Sequence, residues 1–378
     1  MIRTSILAML LATSTASAQA NQTASFAGGV SSSGWVDYIP TANLGIFVPV
    51  KINGHEAIGW LWGGPSSIDR TYAASIGLRP ATDSASSLSG VDVQVGDLTL
   101  KNATAKPDEL QAKAYAQIIG HPVDFRLGEE VFNQLAVDID FAHHRVRFRD
   151  PNTVTKPAGA IEVPVIEMDS ERVVPLSVDG AAPEQFELEL GNTIGPLLVT
   201  PGYAESHKLL EGHPTSQRLS GRFIETVVSI DHLGFAGVDF PHAPIALIPD
   251  TQLPPAGITG GVGLPLFAKF DLTIDYSHNR IYATPVAAAV KTPIARDRIG
   301  MILGAKDSTF GVAFVAPHSP ADAAGFKKGD TIALIDRKPF GAWSRLAIHE
   351  FYLADAGTTH TFTMPDGTVR QVKAVDFF

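Results

Sequence analysis

The sequence predicts a mainly-β chain in which one lobe is written twice and a smaller α+β unit follows. Two observations carry that prediction. Val48-Pro49-Val50-Lys51-Ile52-Asn53-Gly54 recurs as Val174-Pro175-Leu176-Ser177-Val178-Asp179-Gly180, and each copy leads into an apolar strand and a glycine turn. The apolar residues also alternate over short runs, as in Val93-Gln94-Val95 and Val137-Asp138-Ile139-Asp140-Phe141, with Gly, Pro and Asn between the runs.

Further matches keep the same order along the chain. Tyr72-Ala73 recurs as Tyr203-Ala204, an offset of 131 (203 − 72), and Leu88-Ser89-Gly90 recurs as Leu219-Ser220-Gly221 at the same offset. Gly128, Phe132, Ile139, Asp140 and Arg145 then match Gly263, Phe267, Ile274, Asp275 and Arg280, now 135 apart (263 − 128). Ordered matches with small drifts in offset mean duplicated lobes with loop insertions. The lobes are placed at 25–155 and 156–288. A short helix is expected after each glycine turn, behind Asp69 in the first copy and opened by Pro201 in the second.

At the N-terminus, Arg3, the apolar run Ile6 to Ala12 and Ala16-Ser17-Ala18 read as a signal peptide over 1–18. The run falls well short of the ~20 residues that a membrane span needs, and no later stretch is long and apolar enough. A chain with a signal and no cysteine points to secretion, into a bacterial periplasm. The formal net charge of −10 comes without any Lys/Arg run, which excludes tracking of nucleic-acid phosphates. No metal and no cofactor is expected. His143-His144 sits at a hairpin tip without ligand spacing, and Gly260-Gly261-Val262-Gly263 has no βαβ unit around it. Asp138, Asp140 and Asp275 alternate with apolar residues and are expected to be exposed or to stabilise turns.

The two glycine turns read Leu61-Trp62-Gly63-Gly64-Pro65-Ser66-Ser67 and Leu188-Glu189-Leu190-Gly191-Asn192-Thr193. In this pattern the chain resembles the pepsin/retropepsin aspartic proteases, which place Asp-Thr-Gly there. The resemblance implies a duplicated two-lobe, acid-protease-like β-barrel fold with a cleft between the lobes. It also implies that Trp62 and Glu189 stand where the catalytic carboxylates belong. Such chemistry needs two carboxyls sharing one proton about a water. An indole cannot take that proton. Gly63 and Leu190 replace the hydroxyls that join the loops, while Gly64 and Gly191 keep the close approach possible. Glu189 is the residual catalytic candidate, and its other reading is a strand carboxylate facing solvent or capping a loop. Trp62 is read as a cleft-wall aromatic or a stacking surface for ligand. Arg126-Leu127-Gly128 and Gly261-Val262-Gly263 occupy the family's second element of each lobe, and Arg126 departs from its pattern. Gly90 and Gly221 are placed on flap-like hairpins over the cleft, their other reading being ordinary hairpin turns.

From Ile299 the sequence changes style. Ser319-Pro320-Ala321, Ala324-Gly325-Phe326 and Gly329-Asp330-Thr331-Ile332 resemble the signals of a bacterial-type PDZ domain, over 296–378. That resemblance implies a peptide groove between the edge Ile299-Gly300-Met301-Ile302 and a helix from Ser344 to Ala354 carrying Leu346. A ligand would add there as a strand, its carboxylate held by backbone N–H groups. Ala287 to Pro293 is the linker. Gly191-Asn192-Thr193-Ile194-Gly195-Pro196-Leu197 also resembles the trypsin-like signature, but Thr193 replaces the nucleophilic serine and no upstream segment supplies a base.

The expectation is a secreted, aspartyl-protease-like protein without catalysis that binds polypeptide or a protein C-terminus through its cleft and groove. Two alternatives stand beside it. One is an active peptidase pairing Glu189 with a second carboxylate such as Asp69. The other is a scaffold working through the PDZ-like unit alone.

Overall fold

The computed structural model describes residues 22–79, 87–110, 112–221, 223–249, 253–255 and 257–378. Residues 1–18, read from the sequence as a signal peptide, lie outside the described residues. The architecture is mainly β.

The repeated heptapeptides form equivalent hairpins. Phe47–Ile52 pairs with His55–Leu61, and Glu171–Val178 pairs with Glu184–Glu189. Both tips need positive φ at two successive residues. Asn53 (49°) and Gly54 (82°) supply it in one copy, Asp179 (49°) and Gly180 (75°) in the other. Each tip is tied down in the same way. Asn53 Oδ1 accepts the Asp92 amide at 2.7 Å, and Asp179 Oδ1 accepts the His232 amide at 2.9 Å.

From each hairpin the chain closes a six-stranded mixed barrel. In the first, the circuit runs Phe47–Ile52, His55–Leu61, Phe125–Leu127, Ser67–Asp69, Leu98–Asp108, Leu88–Val95 and back. In the second it runs Glu171–Val178, Glu184–Glu189, Gly260–Gly263, Leu197–Val199, Val238–Leu247, Phe223–Phe235 and back. The parallel pairs fall at the same two places in both circuits. The helices after the turns match too. Asp69 caps Arg70–Ser75 by accepting the Thr71 and Tyr72 amides, and Thr200 caps Pro201–Ser206 with Pro201 at the first helical position.

A six-stranded sheet joins the halves, in the order Ile161–Pro164, Arg280–Pro285, Phe270–Asp275, Ala136–Asp140, Arg145–Arg149, Val36–Asp37. Asp138 pairs with Thr273 at the middle of the ladder between halves. Asp138 is buried and accepts from Thr273 Oγ1 at 2.7 Å, Arg147 Nη2 at 2.7 Å and Arg149 Nη2 at 3.0 Å. Asp140 and Asp275 hold equivalent turns, taking His143 and Arg145 in one, Ser277, His278 and Arg280 in the other. Their turn-stabilising role is as read from the sequence. Exposure is corrected: all three aspartates are buried, because each has cationic or hydroxyl partners inside the sheet. The apolar core runs through both halves without a break, with Val50, Leu61, Phe125, Phe186, Val228 and Phe267 all buried in it.

The chain then crosses to a third unit. Lys269, buried, donates its Nζ to the carbonyls of Ala289, Thr292 and Pro293 and to Thr292 Oγ1, so the connection is clipped to the second half. The unit holds a three-stranded and a four-stranded sheet, a short helix Pro320–Ala323 and a longer helix Arg345–Tyr352. Ser319 and Ser344 cap the two helices. Its separate core includes Ile299, Met301, Phe310, Phe326, Phe351 and Phe362.

Candidate functional site

The two glycine turns meet at the boundary between the barrels. Each turn is buttressed from behind by a strand of its own barrel. Trp60 and Leu61 lie beside Arg126 and Leu127; Glu187, Leu188 and Glu189 lie beside Gly261, Val262 and Gly263. Gly128 and Gly263 have no room for a side chain, because a Cβ on the first would collide with Gly64 O and Ser66 N, and on the second with Gly195 O. Ser66 Oγ accepts the Gly128 amide at 3.0 Å, and the Ser66 amide donates to Glu130 at 3.1 Å. Across the boundary, the place a Gly63 Cβ would occupy is 3.9 Å from Leu188 O and 4.0 Å from Leu190 N. The close approach that Gly64 and Gly191 suggested is present.

On the first-barrel side the site is aromatic and cationic. The Trp62 indole lies against Gly191 of the other turn, where a Cβ would strike its Cε3 and Cζ3 atoms. Arg126 covers the indole ring, its guanidinium carbon 4.3 Å from the ring centre, and its Nη1 reaches Asp108 at 3.2 Å. Trp60 meets Trp62 edge-on at 4.6 Å, and Phe47 and Tyr115 complete the cluster. Arg126, which looked out of place in the sequence, is the cation that sits on the indole.

The second-barrel side is acidic. Alternation along Glu184–Glu189 puts Glu187 and Glu189 on one face, with Leu188 in the core between them. Glu189 folds over Gly261, whose missing side chain leaves room for the carboxyl. Burial pushes the Glu189 carboxyl up to about 7; the Asn192 side chain works against this and the charge of Glu171 adds to it. Burial also raises Glu187 well above the ordinary carboxylate range, followed by Glu189 and by Glu171, with which it shares a hydrogen bond. Glu129, from the first half, is raised by burial and then by Glu130 and Glu171. Glu189 is thus partly buried beside Asn192 of its own turn, and its acidic neighbours are Glu187 and Glu171. Asp69 serves instead as the cap of Arg70–Ser75.

Geometry therefore separates the two sides chemically. No carboxylate stands at the first turn, and the indole fills the space between the turns. The raised carboxyls Glu187 and Glu189 both lie within the second half. Such a group can hold and release a proton near neutral pH.

The third unit closes over the same end of the molecule. His349 on the helix Arg345–Tyr352 reaches the backbone of Ala42 in the first half. Arg296, buried, donates to Ser229 Oγ at 3.0 Å and to the carbonyls of His242 and Phe378. Between this unit and the second barrel lies a cavity of about 310 Å³, bounded by Ile194, Leu219, Ile302, Tyr352, Leu353 and Phe378 among others. The edge strand predicted to receive a ligand is Met301–Lys306. The Ile299 and Gly300 amides both donate to Asp297 Oδ1, at 2.8 and 2.9 Å, and the Leu303 amide donates to Tyr352 Oη at 2.7 Å. Ile299 and Met301 point into the unit's core, so Ile302 is the residue of that segment that faces the cavity. Leu346 is half-buried on the helix.

Gly221 lies at the tip of the hairpin joining Thr215–Ser220 and Phe223–Phe235. Gly90 does not lie at a tip. It sits inside Leu88–Val95, where the register shifts, and its carbonyl is 3.5 Å from Asn53 Nδ2. The Leu-Ser-Gly match is therefore not an equivalence. The tips Val95/Leu98 and Phe235/Val238 correspond instead, at an offset of 140 (235 − 95).

Glu187, Glu171, Asp297 and Tyr352 were missed by the sequence reading. Glu187 had a signal, being two residues before Glu189 just as Trp60 is before Trp62. Among the described residues, no group of three or more His, Asp or Glu is arranged to hold a metal ion, and no helix is long and apolar enough to cross a membrane. No family model matches the chain, and no curated protein matches it.

Proposed function

We propose that this is a secreted, aspartyl-protease-like protein that binds polypeptide at the junction of its two barrels and its PDZ-like unit without cleaving it. One observation carries the reading. The Trp62 indole, covered by Arg126, lies across Gly191 of the other turn, and no carboxylate stands on the first turn. The shared circuit of both barrels and the joining sheet support the acid-protease-like reading of the fold. The strand–helix groove with Gly300 beside Ser319 supports the PDZ-like one. Secretion follows from the signal-like residues 1–18 and fits a periplasmic setting.

A second reading has a specific observation in its favour. Glu187 and Glu189 lie on one strand face with Glu171 on the neighbouring strand, and burial raises both, as an acid catalyst needs. Incubation of the purified chain with a reduced, carboxymethylated protein separates the two, with fragments followed by mass spectrometry across the acid and neutral range. The expected result is retention of the polypeptide on the chain with no new fragments. Cleavage that is lost in both Glu187→Gln and Glu189→Gln establishes the peptidase instead.

A further inference from the structure

The cavity beside Ile302 and Leu353 carries a more specific inference, which rests on the polypeptide-binding reading above. Its charged wall groups are already committed. Arg218 donates to Glu225 Oε2 at 2.7 Å and to Ile194 O at 2.8 Å. Arg296 is spent on Ser229, His242 and Phe378. Asp297 accepts the Ile299 and Gly300 amides.

Those last two bonds matter most. In a PDZ-like groove the amides of this segment hold an incoming carboxylate. Here a carboxylate of the chain itself stands on them. Tyr352 Oη likewise takes the Leu303 amide, so the strand edge has lost one of the donors that an added strand would use. What the cavity still offers is apolar surface: Ile194, Leu219, Ile302 and Leu353. Ile194 is 46% exposed and gives that surface a face toward solvent. At about 310 Å³ the space is near the low end of ligand pockets, which run from about 300 to 1,000 Å³.

We propose that this cavity receives apolar side chains from an internal, uncharged stretch of polypeptide, and that it does not take a chain terminus. An entering carboxylate would meet the Asp297 carboxylate, which already holds the Ile299 and Gly300 amides. An aliphatic or aromatic side chain disturbs none of the existing polar bonds.

The test uses the full chain and a fluorescein-labelled apolar decapeptide, in amidated and free-acid forms, with binding read by anisotropy. The two forms are expected to bind within about twofold of each other. Leu353→Glu, which puts an unpaired charge at the cavity wall, weakens both at least about tenfold. Asp297→Ala releases the Ile299 and Gly300 amides, and the free acid then gains about tenfold over the amide. A wild-type preference for the free acid of about tenfold overturns the proposal, as does Leu353→Glu binding like wild type. These two outcomes decide the matter even if Asp297→Ala does not fold. Failure of the decapeptide while a reduced, carboxymethylated protein still binds rejects this inference alone. Failure of both rejects the polypeptide-binding reading.

Discussion

At the scale of single residues, the decisive contact is an indole ring on a glycine. Gly191 tolerates the Trp62 ring only because it lacks a Cβ. Gly191→Ala should cost about 1–3 kcal/mol by overpacking. Trp62→Ala should cost about 2 kcal/mol, below the range for a fully buried aromatic, since Trp62 is only half-buried. With the ring gone, the added methyl has nothing to strike, so the double variant should be about 1–2 kcal/mol more stable than the two single costs sum to. Urea denaturation of the four proteins measures this. Strict additivity would mean that the ring does not rest on the glycine in solution.

Among the elements, the strand Glu184–Glu189 faces Glu171 on its neighbour and concentrates carboxyls that hold protons longer than they would in an unfolded chain. The sign follows from linkage. A carboxyl whose folded pKa is raised binds more protons in the native state, so stability falls as pH rises from the unfolded value toward the folded one. The window opens near the ordinary glutamate value of 4.5 and runs to about 7 for Glu189, and beyond that for Glu187. Thermal unfolding should therefore show a lower midpoint at weakly alkaline than at weakly acid pH. Glu187→Gln should flatten the slope. An unchanged slope in that variant would mean that Glu187 is not raised in the folded chain.

The same elements show what a sequence can and cannot disclose. The duplicated hairpins were legible because Asn53-Gly54 and Asp179-Gly180 report a local backbone requirement, positive φ at both tip residues. Helix starts at Asp69 and Pro201 were legible for the same local reason. The Leu-Ser-Gly pair misled because Gly90 and Gly221 both need positive φ, one inside a strand whose register shifts and the other at a tip. Identical residues met the same dihedral need in different settings. The environment of Glu189 was not legible at all, since Glu171 comes from a different strand and only pairing brings it near.

On the scale of the whole molecule, the third unit is held to the second barrel by buried polar bonds as well as by apolar contact. Arg296 supplies two of them, to Ser229 and to the His242 carbonyl, and binds Phe378 within its own unit. Arg296→Ala leaves the carbonyls of His242 and Phe378 without that donor, an expected loss of about 2–4 kcal/mol in a docked arrangement. Limited proteolysis should then find the 287–293 connection faster than in wild type, despite the Lys269 clip. Equal rates would show that the apolar contacts suffice.

The centre of the joining sheet carries a consequence for ancestry. Asp138 and Thr273 are counterparts in the duplication, 135 residues apart, and they also face each other where the halves meet. A lone first half that paired with a twin of itself would set Asp138 against Asp138, two anions side by side in a dry strand ladder. Threonine on one side turns that repulsion into a hydrogen bond. The halves have thus become complementary rather than interchangeable. A split gene expressing both pieces should reassemble as a mixed pair, while the first piece alone should fail to form a symmetric dimer.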